Sequence, residues 1–492
     1  MKKYILIITA LFLFSANNSC SERDLDLFPP QADEIANINT EDQLQQILNG
    51  AYLTASSVNV FGTKATLFGD IMADKIFVSL QNPSFLDTFN YNFSALQQQE
   101  FSGLYGGLYN TILRCNLVIN NTNVPSSEKT VRMKGEAKIL RGLAYFTLTN
   151  FFSPSPTSGV NQEYGVPIVL GNYDVNIQPA RSTVAAVYDQ IITDLKEGIE
   201  GADAMPSSKT LLGKDAGRLI LSRVYLTRRA AGDAQLALDA ATEVINVAKT
   251  VDAFNVVPGV PINLSTYTNY FASSNSTLSE EQPETVWELD LSSSTNLVNG
   301  IGANLSLPGF YNRIDAKRCL LINQTLYGSL ADTDVRKGSP TTGLLITVGT
   351  PNVDTPKGYW TNKYPRLTDE GNYFRNIKLL RFSEAYLNRI EALNLLGQTG
   401  AALDELNAFA TSRRGVTYTG ADLQNDILEE RAKEFYAEGQ RFFDLKRYNL
   451  GLNRPSNCLV TCTIAPNDKL FVLPMSAGAL NANENLTQYP GY

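Results

Sequence analysis

The sequence predicts a mainly α-helical chain, built from tetratricopeptide-like helix pairs and interrupted by irregular loops and short strands. Three observations carry this. Apolar residues recur at helical spacing over most of residues 40–250 and again after residue 377. Ala and Gly recur where two helices would touch, as in repeat proteins, although no 34-residue self-similarity is evident. Between residues 250 and 375 the helical period fades into Asn, Ser, Thr, Gly and Pro, with strand-like runs such as TVWELDL and LLITVG. A stretch that long is too large for mere loop, and long loops usually carry function.

Taken in order, the chain begins with Lys2 and Lys3 before an apolar run from Tyr4 to Phe14, then small and polar residues to Cys20. A basic start and a short apolar core make an export signal over residues 1–19. Cys20 stands where a bacterial lipoprotein signal is cut, so its thiol is the expected lipidation site. Asn17 departs from the Leu usual three residues before such a Cys. Residues 20–39, with Pro29-Pro30, read as a lipidated tether.

The remaining chain, 40–492, reads as one binding domain: an N-terminal part of about 40–250 and an insertion-rich and C-terminal part of about 251–492. Thr40 resembles an N-cap with Gln43 in capping-box position, opening a helix through Leu44, Leu48 and Tyr52. Gly69 to Asn92 loses helical period and reads as an exposed loop with short strands. Helices are expected over Leu104–Asn120, Val131–Phe152, Thr183–Gly201, Asp215–Arg229 and Asp233–Ala248. Gly135, Ala137, Gly142 and Ala144 would let a neighbour approach the second of these closely. Helical pattern returns at Ile377, in LLRFSEAYLNRIEALNLLG and ALDELNAFATSRRG.

Composition narrows the chemistry. There are 492 residues, 43% hydrophobic and 18% charged, as in an ordinary globular chain. The net charge of -8 argues against nucleic acid as a partner. The chain has no histidine, which removes Ser-His-Asp and Cys-His nucleophile systems, His-ligated metals and any histidine base. Cys115 reads as a small buried residue, and Cys458 and Cys462 could form a disulfide in an oxidising compartment. Two thiols without histidine make a poor zinc site, so no metal and no cofactor is expected.

Ile427 to Tyr448, ILEERAKEFYAEGQRFFDLKRY, is the most distinctive stretch. Arg431 and Glu438 fall within its apolar arc, and Glu430, Glu434 and Arg441 border it. Buried charge is costly unless paired. Two readings compete, an acid/base site and an ionic lock. The spacing of Glu434 and Glu438 from Arg431, one or two helical turns, favours a lock formed by Arg431, Glu434, Glu438 and Arg441.

Several blocks, in order, resemble the SusD/RagB family of Bacteroidetes outer-membrane lipoproteins. They are Glu136–Phe152 with Gly165–Leu170, then Leu379–Gly397, the Ile427–Tyr448 stretch, and the terminal FVLPM with NENLTQYPGY. Asp334 and Arg336 resemble the family's D-x-R pair, and Lys363-Tyr364 its Lys-Tyr pair. The acidic start after Cys20 (Glu22, Asp24, Asp26) is similar to the family's surface-export signal, while Ile390 stands where relatives often carry Ala. The resemblance implies a SusD-like fold and a lipid-anchored, surface-exposed outer-membrane protein. Such a protein binds oligosaccharides and passes them to a SusC-like TonB-dependent transporter without catalysis. It also turns the charged stretch from a candidate active site into structure.

Sugar rings present apolar C–H faces, so exposed aromatics with nearby Asn or Arg are the expected glycan platforms. The candidates are Phe85, Phe89 and Tyr91 in the first loop, and Tyr267, Tyr270, Asn299, Phe310, Tyr311 and Trp360 in the insertions. Trp287, inside an alternating strand, reads as core. Two other classes stay open. One is capture of peptides or another nutrient by the same architecture. The other is a carboxylate-dependent glycoside hydrolase, which needs two carboxyls roughly 5–10 Å apart.

Overall fold

The computed structural model describes residues 38–93, 97–174, 176–291, 305–339 and 341–492. The signal segment 1–19, Cys20, nearly all of the tether and Asn299 lie outside the described residues. The fold is mainly helical, with short strands confined to two-stranded pairs.

Thr40 caps α1 (Glu41–Ala55) through the expected capping box with Gln43. The scaffold continues with α2 (Lys64–Ile71), β1 (Ile76–Val78), α3 (Leu86–Phe89), α4 (Gln97–Ile119) and α5 (Glu128–Phe152). Next come α6 (Val184–Gly201), α7 (Lys214–Arg228) and α8 (Asp233–Ala248). Successive helices pack against one another, α4 on α5, α5 on α6, α6 on α7 and α7 on α8. The small residues of α5 explain its closest contact. A Cβ at Gly135 would stand 2.5 Å from the Ala202 nitrogen, and one at Gly198 would meet the Gly135 oxygen at 3.0 Å. Arg141 adds a buried tie. Its guanidinium bonds both Asp194 oxygens of α6 at 2.8 and 2.5 Å and Asn116 of α4 at 2.8 Å.

The insertion-rich part holds α9 (Leu264–Ala272), β2 (Thr285–Leu289), α10 (Leu307–Tyr311), β3 (Leu320–Ile322) and α11 (Gln324–Ser329). Short strands β4 (Leu345–Ile346), β5 (Trp360–Thr361), β6 (Leu367–Thr368) and β7 (Gly371–Asn372) follow. β4 pairs antiparallel with β5 within this part, and β1 pairs antiparallel with β3, which laces the part to the N-terminal scaffold. Then come β8 (Ile377–Arg381), α12 (Phe382–Leu395), α13 (Thr399–Ser412), α14 (Leu423–Glu434) and α15 (Arg441–Arg447). β8 pairs antiparallel with β2, and α12 packs on α8. β9 (Leu452–Asn453), β10 (Thr463–Ile464) and α16 (Ala477–Ala482) complete the chain. The Lys446 ammonium ties α15 to the end of α5 by donating to the carbonyls of Asn150 and Ser153, each at 2.6 Å. These are carbonyls that a helix C-terminus leaves open.

Two sequence expectations are corrected, and a helix boundary that the sequence leaves open is placed. Residues 377–381 are strand where helix was expected, because the apolar run pairs with β2 before α12 begins. The stretch 69–92 is largely buried. Arg454 reaches into it, donating to the carbonyls of Ile71, Ala73 and Phe89 at 2.6, 2.8 and 2.5 Å. Ile427–Tyr448 is two helices. The chain breaks after Glu434, with Ala437 and Gly439 at φ of +59° and +74°. Cys458 and Cys462 are joined in a disulfide, and Cys115 is a buried free thiol.

Candidate functional site

The charged stretch is built into the interior, and its partners come from far along the chain. Glu434 accepts from Arg381 at 2.9 Å and Arg413 at 3.2 Å, and Arg336 lies at 3.5 Å. Glu438 accepts from Lys363 at 2.6 Å and from two nitrogens of Arg381, both at 2.9 Å. Arg336 in turn grips both oxygens of Asp334, at 2.9 and 2.8 Å, and bonds Glu430 at 2.7 Å. The D-x-R and Lys-Tyr pairs therefore converge with the signature on one buried ionic centre. Tyr364 closes it by donating to the carbonyl of Ala437 at 2.5 Å, which holds that residue's left-handed backbone.

Burial alone would raise the carboxyl of Glu434. Arg413, Arg381, Arg336 and Lys363 instead hold it well below the usual carboxylate range. Asp444, buried and flanked by Arg431 and Arg447, is lowered in the same way.

The lock differs from the expected ladder. Arg431 pairs with Asp444 at 3.1 Å and bonds Asn388 and Gln440, while Arg441 pairs with both oxygens of Asp74 at 2.8 and 2.9 Å. Neither bonds Glu434 or Glu438: the Arg431 side chain is taken up by Asp444, Asn388 and Gln440, and the break at residues 435–440 carries Arg441 on α15 out of register with α14. A back-to-back glycine contact fixes that break. A Cβ at Gly69 would lie 2.1 Å from the Gly439 oxygen, and Asp70 accepts from the Gly439 N–H at 3.0 Å. Burial raises the Asp70 carboxyl to about 7, against the lowering effect of Tyr311, Gly439 and Lys363.

Most of the aromatics expected as ligand platforms serve the interior, which corrects their reading as exposed. Tyr267 is fully buried and donates to Glu434 at 3.2 Å. Tyr270 is buried and its hydroxyl shares a hydrogen bond with Thr285 at 2.9 Å. Tyr311 donates to Asp70 at 2.5 Å, and Tyr91 donates to the carbonyl of Met72 at 2.5 Å. Phe310 is buried and meets the half-buried Phe85 edge to face, with centroids 5.0 Å apart. Phe89 is buried beneath the Arg454 guanidinium, 4.0 Å from its centroid. Trp360 is buried, its indole donating to the carbonyl of Gly349 at 3.2 Å. Trp287 is core, as read from its strand. A buried Tyr or Trp needs a partner for its polar tip, and each of these has one.

What reaches the surface is different. The loops 79–85, 312–318, 352–357 and 454–462 share one face, joined by Leu80 N–H to Asp354 at 3.0 Å, Asn82 to the Ala316 carbonyl at 3.3 Å and Asn457 to the Pro356 carbonyl at 2.6 Å. Exposed aliphatic residues mark it: Leu80, Val353, Leu459 and Val460, the last two at the tip of the disulfide loop and about 70% exposed (72% and 69%). A hollow of about 90 Å³ lies between Phe77, Leu80, Leu86, Asp354 and Leu459. A larger cleft, about 550 Å³, opens between α1 and the end of β2, lined by Asn49, Tyr52, Thr210, Trp287 and Glu288. Sequence reasoning passed over Tyr327 and Tyr359, two half-buried rings stacked face to face. The signal was present. In a strand Tyr359 and Trp360 must face opposite ways, and Trp360 faces in.

Among the described residues no group of three His, Cys, Asp or Glu could hold a metal ion, and no helix is long and apolar enough to cross a membrane.

Comparison with known proteins gives a consistent answer. Residues 24–226 match a SusD-like family described as starch-binding and associating with the outer membrane, and residues 347–492 match the SusD family. The chain is 24% identical to SusD-like protein P2 of Formosa agariphila over 100% of both chains. It is 28% identical to the starch-binding protein SusD of Bacteroides thetaiotaomicron over 24% of this chain and 22% of that one. A sugar-binding protein of Bacteroides vulgatus, so described on its crystal structure as putative, superposes with a TM-score of 0.77 at 26% identity, covering 92% of this chain and 99% of that one.

Proposed function

The chain belongs to the SusD/RagB family, whose members bind carbohydrate at the outer membrane, and from that membership we propose its function. It is a cell-surface lipoprotein, anchored through lipid on Cys20, that captures oligosaccharides and delivers them to a SusC-like TonB-dependent transporter without turning them over. The observation that carries the reading is the match at both ends of the chain together with the convergence of the family's charged blocks on one buried centre. That centre is consumed by structure, which leaves the insertion loops to meet a ligand.

The absence of turnover is supported by where the carboxylates sit. A general acid must hold its proton near neutral pH while touching substrate. Glu434 is held ionised by three guanidiniums. Asp70, whose carboxyl burial raises to about 7, is 3% exposed and both of its oxygens are bonded, to Tyr311 and Gly439. Glu370, raised to about 7 by burial and by the neighbouring Glu280, is exposed, but it lies 3.5 Å from Arg375 and lines neither hollow described above.

A second reading, peptide capture by the same architecture, is favoured by the exposed Leu80, Val353, Leu459 and Val460 and by the burial of both tryptophans. Equilibrium binding of the soluble chain, residues 21–492, to host and plant glycans and to peptides decides between them. Glycan binding is expected, and binding to peptides alone would overturn it. Lipid labelling should vanish in Cys20→Ala, and the wild-type chain should co-purify with a β-barrel transporter; persistent labelling would displace the anchor from Cys20.

A further inference from the structure

Tyr327 and Tyr359 stack with ring centroids 3.5 Å apart and planes 5° from parallel. The Lys337 ammonium lies 4.4 Å from the centroid of Tyr327, and Lys337 is itself held by Asp332 at 2.9 Å and the Leu330 carbonyl at 3.0 Å. Tyr327 is thus engaged by a ring and by a cation. Tyr359 has no second stacked ring and no cation over its face among the described residues, and it is half-buried, packed in part against the core.

Its position is fixed before any ligand arrives. Tyr359 and Ile322 exchange backbone hydrogen bonds, each at 2.9 Å, and the Tyr359 hydroxyl donates to Gln324 Oε1 at 2.6 Å. A ring held this way has little side-chain freedom left to lose on binding. Its surroundings are open and polar. Gln324, Thr325, Gly328 and Lys357 are exposed, and a Cβ at Gly328 would meet nothing within 4 Å. Lys357 stands two residues before Tyr359 in the chain.

We propose that Tyr359, backed by Tyr327, is a carbohydrate platform: a pyranose ring lies with its C–H face on Tyr359 while Gln324 and Lys357 serve its hydroxyls. The electron-rich face of an aromatic ring attracts polarised C–H groups, and the amide and ammonium supply donors that the ring lacks. The Gln324 amide nitrogens donate to no described residue, so they are available for this role. A pair present only for packing would be covered, as the stacked Phe151 and Phe442 are, whereas this one is half-buried and sits among exposed neighbours. The assignment rests on the oligosaccharide reading above.

The test is affinity electrophoresis of the soluble chain, residues 21–492, in gels containing soluble starch, mixed-linkage β-glucan, xylan, pectin or mucin. Wild type should be retarded by at least one of them. In that gel Tyr359→Ala should lose about tenfold in affinity or more, a stacking contribution of the usual size, while Tyr359→Phe stays within about threefold. Gln324→Ala and Lys357→Ala, on exposed side chains that no core contact needs, should each weaken binding by about threefold. Wild-type affinity in Tyr359→Ala with an unchanged melting temperature overturns the platform and leaves the oligosaccharide reading standing. If Tyr359→Ala does not fold, wild-type affinity in both other variants overturns it equally. Retardation of the wild type by none of the polysaccharides overturns both.

Discussion

Around Glu434 and Glu438, four cations from separate segments (Arg336, Lys363, Arg381 and Arg413) close on two carboxylates. Around Tyr359 the hydrogen bonds among the described residues reach Ile322 and Gln324, and Gln324, Thr325 and Lys357 stand in solvent. Both regions lie in stretches rich in polar and aromatic residues, yet one spends them inward and the other outward. The difference teaches how to read a family signature of this kind. A buried charge with several distant partners clamps elements together, and removing one partner strands the others. A half-buried ring with local partners can change with modest effect on the fold, which is the freedom a ligand site needs.

The largest expected effect tests the inward region. Arg381→Met removes the guanidinium shared by Glu434 and Glu438, and should lower unfolding free energy by about 3–5 kcal/mol in urea. A near-neutral result would mean that the remaining cations suffice. Arg431→Met comes next, at about 1–3 kcal/mol by the same measurement, because Asp444 keeps Arg447 at 2.8 Å when Arg431 is gone.

The third prediction is a pH dependence. The Asp70 carboxyl is raised by burial from 3.8 to about 7 in the folded chain. Between those values the folded state holds a proton that the unfolded state has released, so this group's contribution to stability falls as pH rises from about 4 to about 7. Asp70→Asn should flatten that fall in melts run across the window. Glu434 and Asp444 act in the opposite sense. Their lowered folded values give stability that is present above the ordinary carboxylate range and lost as pH falls through the folded ones. Smallest is the outward region. Leu459→Ser, at the tip of the disulfide loop, should shift stability by no more than about 0.5 kcal/mol. A shift as large as that of Arg431→Met would erase the contrast between the two regions.

Much of the scaffold was legible because it is local. The period over 233–248 and the capping box at Thr40 need only neighbours in sequence to be recognised, and both stand as expected. The small residues of α5 announced a close helix contact, which α6 supplies. The failures are non-local. Nothing near residues 69–92 announces that Arg454 will seal them, so the aromatics there looked exposed. The ladder of Arg431, Glu434, Glu438 and Arg441 was read from helical spacing, whereas Ala437 and Gly439 adopt left-handed backbone and each charge finds a partner elsewhere. Residues 377–381 show why a short apolar run is ambiguous: its strand partner, β2, is about ninety residues upstream. At the candidate site the composition pointed to the insertions, but choosing the rings required knowing which side of a strand faces water. Trp360 was chosen and Tyr359, its neighbour, is the one that faces out.

Isothermal titration calorimetry of the soluble wild-type chain with oligosaccharides tests the central claim most directly, because one trace separates capture from turnover. The account predicts saturable heats that return to baseline after each injection. A baseline displaced for as long as sugar remains would reveal turnover, and saturable heat with peptides alone would reassign the ligand; either would contradict it.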